Sequence, residues 1–366
     1  MLLARTSLDV LYVYYSQDGG DSWTAGEPSD FHATLTTPAL LRLHDKRVVL
    51  FWCNTQPLPE LDKETLWPPV SPQTKCGWAE DVFTNRDANH AAITSDGIHW
   101  QGFRELYLNE LRNRADFCSC GGSISSADKS IHQFQAIELP YHKILVAFGQ
   151  HEIARRMVIF DVNWLYENER HEDFTTGLGG LSTHVYCKSI SGSTLYRNKR
   201  PGHCAWNRTN GALLVPDPDA TYGEVLQLCR IHDPRLYSEV QGAVWNFPAT
   251  QHGEITLELR IDGAGLRLSL SNRWFNPIDT TIAAFSHATV CLGKDTLSPG
   301  IWHTVRLQFN TLHRVVEVTA DANHCQTLQI MEAAPHGLCY LHLQGLAEEE
   351  DSHGSYIRQI TMKKID

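Results

Sequence analysis

The stretch Ser16-Gln17-Asp18-Gly19-Gly20-Asp21-Ser22-Trp23 sets the architecture of the first half of this chain, and Thr94-Ser95-Asp96-Gly97-Ile98-His99-Trp100 repeats it with one residue fewer. Each stretch places a hydroxyl, an Asp, a Gly and a Trp at nearly fixed offsets. The Asp carboxylate can accept hydrogen bonds from N–H groups of its own turn, and the Gly permits a positive φ. Each stretch therefore predicts a tight hairpin whose Trp covers the turn and packs between neighbouring sheets.

These two stretches resemble the Asp box, S/T-x-D-x-G-x-x-W, of sialidases and other β-propeller proteins with bacterial neuraminidase repeats. The first copy matches the pattern residue for residue, and the second departs from it by one residue between the hydroxyl and the Trp. Two copies, each after a β-rich run, favour a propeller. The resemblance covers the first half of the chain and implies blades whose inner strands face a ligand site at a central axis.

The hairpins of this half recur at residues 37–52 and 133–149, each as two apolar runs around a polar turn. At about four strands and roughly 45 residues a blade, the region holds only three to four blades, fewer than most closed propellers have. Either the blades are compact and few, or blades found in relatives are missing here. In the second case an exposed edge must pair, aggregate or be covered.

The second half changes to longer strands in which apolar and polar residues alternate, which predicts two packed antiparallel sheets. The runs cover residues 224–228, 253–261, 266–270, 302–309, 314–318 and 357–362. The segment from Trp302-His303-Thr304-Val305 to Asp321 resembles a concanavalin-like or laminin-G-like jelly roll. We therefore expect an all-β protein, with sialidase-like β-propeller blades over residues 1–185 and a β-sandwich jelly roll over 186–366. Short helical segments are expected only at residues 109–113 and 161–169.

Composition excludes several classes of function. The 366 residues carry a formal charge of −11, which argues against a nucleic-acid partner because binding to the phosphate backbone needs a basic face. No apolar run approaches the ~18 residues of a membrane span. The apolar run at the start is too short for a signal peptide, so we expect a cytoplasmic protein as the sequence stands, or an exported one if the start is truncated. Oligomeric state is not indicated.

The ten cysteines and 19 histidines lack the spacing of a metal site. No CxxC pairs, H-x-H or HExxH motif is present, so we expect no metal and no cofactor, with the cysteines as free thiols. Many of the aromatic residues stand in loop-like contexts such as Arg273-Trp274-Phe275-Asn276-Pro277. Sugar rings stack on exposed aromatics, but use in the core is the favoured interpretation here.

Sialidase-like enzymes hold a carboxylate substrate with three arginines, relay protons with an Asp, and attack with a Tyr that a Glu activates. Arginine suits the first role because its planar fork makes two parallel hydrogen bonds to a carboxylate. The opening R-I-P motif of the family, which would supply the first arginine, is absent from this sequence. Tyr107 is a conceivable nucleophile, although nothing close to it in sequence would activate it.

Glycoside cleavage needs two carboxyl groups that flank the bond. Asp87 and Glu105 are the best pair, while Asp18 and Asp96 are set aside because Asp boxes lie on the outer rim. The predicted catalytic residues are Asp87, Glu105, His90 and His132, with the histidines as acid or base near neutral pH. The predicted substrate-binding residues are Arg86, Asn89, Arg104, Gln133, Gln150, His151, Arg155 and His203. A solvated turn at 85–90, core or turn histidines, and packing between domains at His203 are the structural alternatives.

Three functions remain open. The first is a glycoside hydrolase of the sialidase-like superfamily that acts on an acidic sugar at the end of a glycan. The second is a glycan-binding protein without catalysis, in which the jelly roll supplies affinity. The third is a polysaccharide lyase, because propellers also carry β-elimination with His, Tyr and Arg.

Overall fold

The computed structural model describes residues 1–6, 8–34, 36–56, 88–108, 133–149, 155–183, 185–186, 206–207, 211–221, 223–232 and 239–365. The chain divides into two compact units. The first includes Met1–Tyr166, and the second comprises Glu167–Tyr186 and Asn207–Asp366. Both units are built from antiparallel strands.

In the part of the chain that the structure describes, the first unit forms three separate sheets that follow one another along the chain. Sheet I has the order β1-β2-β3, sheet II the order β4-β5-β6-β7, and sheet III the order β10-β9-β8. The strands are β1 (Leu2–Ala4), β2 (Val10–Tyr14), β3 (Glu27–His32), β4 (Ala39–Arg42), β5 (Val48–Trp52), β6 (Ala88–Thr94), β7 (Trp100–Leu108), β8 (Gln135–Leu139), β9 (Lys143–Phe148) and β10 (Arg156–Asp161). A 3-10 helix, Val162–Tyr166, follows β10 and lies within the helical segment expected at 161–169.

Sheets I and II pack together through aromatic side chains. Phe31 of β3 meets the rings of Trp52 and Trp100 edge-on, with centroids 5.6 and 5.2 Å away, and stacks on Phe103 at 5.9 Å. All four side chains are buried. Edge-to-face contacts of this kind add to the free energy gained by burying the rings.

Sheets II and III pack together through an aliphatic and aromatic core. Val49, Phe51 and Ile93 of sheet II meet Ile144 and Val146 of sheet III in one buried cluster. Sheet II is therefore covered on both faces, which explains why the residues of its strands β5 and β6 are buried almost throughout instead of alternating between buried and exposed.

The three sheets share a common polarity. The turns at residues 16–23, 44–46, 94–99 and 140–142 lie at one end of the unit, which we name the turn end. The opposite end of the unit contains the starts of β4, β6, β8 and β10 and the ends of β5, β7 and β9. We name it the groove end, because an open groove lies there. Contacts between sheets agree with this polarity, since Trp52 Nε1 donates to the His32 carbonyl at the groove end (2.9 Å) and His44 N–H donates to Glu138 at the turn end (2.7 Å).

The second unit is a β-sandwich. Its larger sheet has the order β15-β16-β25-β18-β21-β22-β23, with β11 also on β25, and its smaller sheet has the order β12-β17-β24-β19-β20. The strands of these two sheets are β11 (Glu169–Glu172), β12 (Leu181–Ser182), β15 (Leu213–Pro216), β16 (Glu224–Arg230), β17 (Gly242–Thr250), β18 (His252–Ile261), β19 (Leu266–Ser271), β20 (Ala288–Leu292), β21 (Trp302–Asn310), β22 (Val315–Ala320), β23 (Asn323–Gln329), β24 (Leu338–Gly345) and β25 (Asp351–Lys364). Two short strands, β13 (Val185–Tyr186) and β14 (Trp206–Asn207), belong to neither sheet. A single helical turn, α1 (Ile282–Phe285), precedes β20.

Alternation builds the core of the sandwich, as the sequence predicts. In β18 every second residue is buried, and Ile255, Leu257 and Leu259 meet Leu341 and Leu343 of the other sheet in one cluster. The Asp at the end of the Trp302 motif also has a clear role: Asp321 accepts hydrogen bonds from His303 Nδ1 (2.6 Å) and from the Thr304 N–H (3.0 Å). These two bonds fix the turn after β22.

Two expectations change in the structure. The sequence placed the domain boundary at residue 185, but β11 pairs with β25 and β12 pairs with β17, so these strands belong to the sandwich. Both strands are too short for a sequence pattern to show which sheet they join. In the first unit the described sheets are three in number and none of them closes on itself, so the all-β class stands while a closed propeller is not observed.

Candidate functional site

The turn end carries the two Asp motifs, and both form the turn that the sequence predicts. Asp18 accepts hydrogen bonds from Ser16 Oγ (2.8 Å) and from the Ser22 N–H (3.0 Å). Asp96 accepts hydrogen bonds from the backbone N–H groups of Ile98 and His99, both at 2.8 Å. Hydrogen bonds from the Ser22 and His99 side chains, together with those of the turn backbone, hold the pKa of each carboxyl well below its ordinary value. Both carboxylates are used within their own turns, away from the groove end.

The two Trp residues of these motifs differ. Trp100 is 6% exposed and packs on Phe31 of sheet I, which confirms the predicted packing between sheets. Trp23 is 45% exposed, and its Nε1 donates to the Gly20 carbonyl of its own turn (3.0 Å). The expectation that Trp23 packs between sheets was wrong, because the described residues place no neighbouring sheet against that side of the turn.

The groove end gathers buried polar side chains. They lie just after the end of one strand or near the start of the next, where the chain passes between strands. The set comprises Asp9, Thr34, Thr36, Asn54, Thr55, Gln56, Asn89 and His90. Burying so many polar groups is costly unless they are hydrogen-bonded, so their concentration at one end distinguishes it from the rest of the unit.

An open groove of about 860 Å³ lies at this end, a volume within the usual range for ligand sites. Its described lining comes from the starts of β4, β8 and β10 and the end of β9. The lining residues are Thr37, Pro38, Gln133, Phe134, Gln135, Ala147, Phe148, Gly149, Arg155, Arg156 and Met157. Two arginines and two glutamines face this space, and the described lining contains neither Asp nor Glu. The groove therefore has a positive character.

Backbone geometry shapes the groove. Gln133 has a φ of 62° and Gly149 a φ of 97°, so the chain turns sharply on both sides of it. A positive φ is uncommon for a residue other than glycine, asparagine or aspartate. The exposed Gln133 is held in this conformation where its amide can reach the groove.

Arg156 is linked to a tyrosine at the edge of the groove. Its Nε donates to the Tyr107 hydroxyl (3.2 Å), and its Nη1 donates to the Arg155 carbonyl (2.8 Å). The Tyr107 ring packs on Phe148, which lines the groove, at a centroid distance of 5.4 Å. Tyr107 thus brings a hydroxyl next to a guanidinium on the groove side of sheet II.

The predicted residues of β6 and β7 divide between the two faces of sheet II. Asn89 pairs with Tyr107, and His90 pairs with Glu105 across a β-bulge. Paired residues of an antiparallel ladder point to the same face, so Glu105 and His90 share one face while Asn89 and Tyr107 share the other. Glu105 therefore lies on the opposite face from Tyr107, whose hydroxyl accepts the hydrogen bond from Arg156.

His90 does not suit the predicted role of acid or base. It is fully buried, its ring packs near Trp52, and its Nδ1 accepts a hydrogen bond from the Asn54 N–H (3.1 Å). Burial lowers the pKa of His90 to about 3, so the imidazole stays neutral near pH 7. The sequence placed residues 85–90 in a loop, but β6 already begins at Ala88, which puts His90 inside sheet II.

Asn89 and Arg104 make structural contacts instead of facing the groove. Asn89 Oδ1 accepts a hydrogen bond from the Cys53 thiol (3.2 Å) between β6 and β5. Arg104 lies over the Trp164 ring at 4.3 Å and donates to the Trp164 carbonyl (3.1 Å), so it fastens the 3-10 helix to β7. Neither residue lines the groove.

Six predicted site residues lie outside the described residues, and their predicted roles stay predictions. They are Arg86, Asp87, His132, Gln150, His151 and His203. Of the predicted set that the structure describes, the groove brings together Gln133 and Arg155.

Sequence reasoning missed Thr37, Gln135 and the buried polar run Asn54-Thr55-Gln56. A signal for that run was present, because it directly follows the apolar strand β5, at the same end as Asn89. Arg156 stood beside a chosen residue and was passed over. Arg156 belongs to the site because it donates a hydrogen bond to Tyr107, which lies 49 residues earlier in the chain.

The second unit offers less space for a ligand at its aromatic loop. Trp274 and Phe275 are fully or almost fully buried, and Trp274 Nε1 donates to Ser182 Oγ (3.0 Å). His342 Nε2 donates to the Asn276 carbonyl (2.9 Å), so this loop covers the outer face of the smaller sheet. The use of these aromatics in packing, which the sequence favoured, is confirmed.

The described residues contain no group of three His, Cys, Asp or Glu side chains that could hold a metal ion. Within the same part of the chain no helix is long and apolar enough to cross a membrane. Cys229, Cys291 and Cys325 are free thiols.

Comparison with known proteins gives structural neighbours only. The chain matches no family model and no curated protein. It is similar to a sialidase at 11% identity and a TM-score of 0.35, over 97% of this chain and 31% of that protein. It is similar to Trypanosoma rangeli sialidase in complex with sialic acid at 11% identity and a TM-score of 0.30, over 100% and 58%.

A third neighbour is a glycoside hydrolase family 16 endo-glucanase from Bacteroides ovatus, at 12% identity and a TM-score of 0.33, over 53% of this chain and 99% of that protein. This chain spans between 31% and 58% of the length of the two sialidases. TM-scores this low do not indicate an activity or a substrate for this chain.

Proposed function

We propose that this chain is a carbohydrate-active protein of the sialidase-like kind, which binds an acidic sugar at the end of a glycan in the groove of the first unit. The observation that carries the proposal is the composition of the groove: Arg155 and Arg156 line it, and no carboxylate does among the described residues. A guanidinium binds a carboxylate through two parallel charged hydrogen bonds, which are stronger than neutral ones.

The other lining residues fit a sugar. The amides of Gln133 and Gln135 both donate and accept hydrogen bonds, as sugar hydroxyls do. Thr37 adds a hydroxyl on the β4 side. Positive charge at one point and neutral polar groups around it suit a ring that carries one carboxylate among several hydroxyls.

We further propose hydrolysis of the glycosidic bond as the reaction, with the Tyr107 hydroxyl as the group next to the sugar and Asp87 as the carboxyl group. Glu105, the predicted partner of Asp87, lies on the opposite face of sheet II and is not part of this arrangement. Support for Tyr107 is its place on the groove side, beside Arg156. A positive charge next to the phenol oxygen stabilises negative charge that develops there during attack.

Binding without turnover is the second candidate, and one observation favours it. Glu105 and the neutral His90 share the face of sheet II opposite Tyr107, so the described residues place no carboxylate and no titrating histidine in the groove. For this function, as for hydrolysis, we propose sialidase-like blades followed by a concanavalin-like sandwich.

The test is a screen of glycans that end in an acidic sugar, with neutral glycans of the same core as controls. A hydrolase releases a saturated reducing sugar, a lyase releases a product that absorbs in the near ultraviolet, and a binding protein is retained on a glycan column without turnover. We expect retention that the free acidic sugar competes away, together with release of a saturated sugar. Equal retention on acidic and neutral glycans would exclude the carboxylate site.

The Asp87 carboxyl has its own test. If Asp87→Asn leaves turnover unchanged on a substrate that the screen identifies, the role of Asp87 is excluded. Glu105→Gln is the control, and we expect it to leave turnover unchanged because Glu105 faces away from the groove. If Tyr107→Phe abolishes release while binding to the column persists, the hydrolytic role of Tyr107 is supported.

A further inference from the structure

The described lining of the groove contains one methionine, Met157, which is the second residue of β10. Its side chain is 74% exposed, and it pairs across sheet III with Ala147 of β9. Because Ala147 carries only a methyl group, the longer and flexible thioether of Met157 is open to solvent and to a ligand. The groove therefore presents an oxidisable sulfur atom to small oxidants in water.

Two other methionines provide a comparison within the same chain. Met331 is 75% exposed and belongs to the second unit, whereas Met362 is fully buried in the core of the sandwich. A dissolved oxidant reaches exposed sulfur atoms before buried ones. Of these three methionines, Met157 is the one that is both exposed and in contact with the groove.

An arginine with an unpaired guanidinium lies close to Met157. Arg155 stands two residues earlier in the chain, and both side chains line the groove. The Arg155 carbonyl accepts a hydrogen bond from Arg156 Nη1 (2.8 Å), but the exposed guanidinium of Arg155 has no hydrogen-bond or ion-pair partner among the described residues. Two positions along an extended chain span about 7 Å, a gap that the side chains of arginine and methionine together can bridge.

From this arrangement we propose that Met157 is a reversible oxidation site that regulates ligand binding in the groove, an inference that rests on the proposed binding of an acidic sugar there. Oxidation converts the apolar thioether into a polar sulfoxide. The sulfoxide oxygen accepts charged hydrogen bonds from Arg155 and occupies the donors that the sugar carboxylate needs. The reduced groove binds the sugar, and the oxidised groove binds it weakly.

The modification is a two-electron oxidation by a peroxide. A lone pair of the Met157 sulfur attacks one oxygen of hydrogen peroxide, and the O–O bond breaks. The sulfur gains an S–O bond, the proton of the attacked oxygen passes to the departing hydroxide, and the peroxide is reduced to water. In the reverse direction a methionine sulfoxide reductase removes the oxygen as water, while two thiols are oxidised to a disulfide.

The exposure of Met157 separates this effect from unfolding. Its side chain is mostly in water in the folded chain, so a polar sulfoxide at this position costs little stability. At the buried Met362 the same oxidation would place a polar group in the core of the sandwich at a high cost. Mild treatment with peroxide should therefore modify the groove and leave the fold intact, which thermal melts check.

Two substitutions test the proposal. Met157→Leu keeps an apolar side chain of similar size without the sulfur, and Met157→Gln places an amide oxygen near the position of the sulfoxide oxygen. We expect the leucine variant to bind the acidic sugar as the wild type does and to be insensitive to peroxide. The glutamine variant should bind about tenfold more weakly without any oxidant, the loss expected for one charged hydrogen bond. Met331→Leu is the matched control and should lose binding on oxidation, as the wild type does.

Calorimetry before and after treatment with hydrogen peroxide measures binding, and peptide mass spectrometry locates the added oxygen. In the wild type we expect oxidation at Met157 and Met331 but not at Met362, and binding that a methionine sulfoxide reductase restores. Met157→Leu contains the same ten cysteines, so it shows any loss of binding that comes from thiols. Oxidised wild type that binds as tightly as before, or a leucine variant that loses as much binding as the wild type, would overturn the proposal.

A second measurement needs no sugar. Phenylglyoxal adds to guanidinium groups that are free to react, and peptide mapping follows the addition at each arginine. We expect oxidation of Met157 to slow the labelling of Arg155 several-fold and to leave the labelling of Arg42, an exposed arginine of β4, unchanged. Labelling of Arg155 at the same rate before and after oxidation would reject the contact between the two side chains. If the labelling slows but the reduced wild type binds no acidic sugar, the proposed function fails while the contact of the sulfoxide with Arg155 stands.

Discussion

The turn end and the groove end of the first unit are built on opposite principles. At the turn end, Asp18 and Asp96 bond to atoms no more than four residues away, and their turns are complete in themselves. At the groove end, the contacts join residues that are far apart in sequence, such as Arg156 with Tyr107 and Asn89 with Cys53. Local sequence therefore determines the first end, and the stacking of the sheets determines the second.

The two ends also differ in their role, since the turn end stabilises the unit and the groove end offers groups to a ligand. The turn end buries Trp100 and saturates its carboxylates, which leaves little there for a ligand. The groove end leaves Arg155 and Gln133 exposed beside a space of about 860 Å³. Binding groups on a rigid scaffold of strands are typical of functional sites.

The largest expected effect concerns the two Trp residues of the turn end. Trp100→Ala should lower the free energy of unfolding by about 3–5 kcal/mol, because it removes a buried ring that joins sheets I and II. Trp23→Ala is the matched control and should cost far less, since Trp23 is half-exposed. Denaturant unfolding of both variants measures the difference. Equal losses would contradict the assignment of Trp100 alone to the packing of the two sheets.

The next effect concerns the arginines of the groove. Arg155→Ala and Arg156→Ala should each weaken binding of an acidic sugar by about 10- to 100-fold, the value of a charged hydrogen bond to a carboxylate. Arg42→Ala, which removes an exposed arginine of β4 near the turn end, should leave binding unchanged. Calorimetry on the sugar that the screen identifies measures all three. A loss for Arg42→Ala of the same size would indicate general charge attraction instead of a groove site.

A smaller effect follows from the buried His90 at the groove end. Its pKa is about 3 in the folded chain and near 6.5 when unfolded, so the unfolded chain binds the extra proton as the pH falls. The stability that His90 contributes is complete above pH 6.5 and is lost below it, at up to about 1.4 kcal/mol per pH unit. Unfolding between pH 6.5 and 5, before most carboxylates titrate, measures the slope. In His90→Gln the slope should be shallower by this amount, and an unchanged slope would show that His90 is charged or exposed.

The smallest effect is expected at the carboxylates of the turns. Asp96→Asn keeps one acceptor oxygen for the Ile98 and His99 N–H groups, so stability should fall only slightly and ligand binding not at all. Thermal melts and the glycan column measure the two quantities. A loss of binding in Asp96→Asn would place the ligand at the turn end and reverse the comparison.

Sequence reasoning predicted the elements of this fold better than their grouping. Alternation located six strands of the sandwich, although β25 begins six residues before the predicted run, and it missed β17, β20, β23 and β24. The Asp motifs located two turns. The membership of β11 and β12 was missed, since four and two residues carry too little pattern to indicate a sheet. The described residues of the first unit form three sheets of three or four strands, and the number of blades stays a prediction.

The candidate site was predicted in part. Gln133 and Arg155 were chosen because they flank an inner hairpin, and both line the groove. Arg104 was chosen because it is charged, but its neighbour Trp164 lies 60 residues later, so its packing role could not be seen in the sequence. His90 was chosen as a polar group near a strand start, and Glu105 was chosen as the carboxyl partner of Asp87. The bulged register of β6 with β7 places both on the face opposite Tyr107.

The amino-acid sequence by itself determined the turns at Asp18 and Asp96, the strands and the all-β class, because those depend on hydrogen bonds and side-chain alternation within a few residues. Only the tertiary structure decided which polar side chains meet in the groove, which of the two Trp residues is buried, and which faces of the sheets pack on one another. Those outcomes depend on register and on packing between segments that lie tens of residues apart, and a short stretch of sequence contains neither.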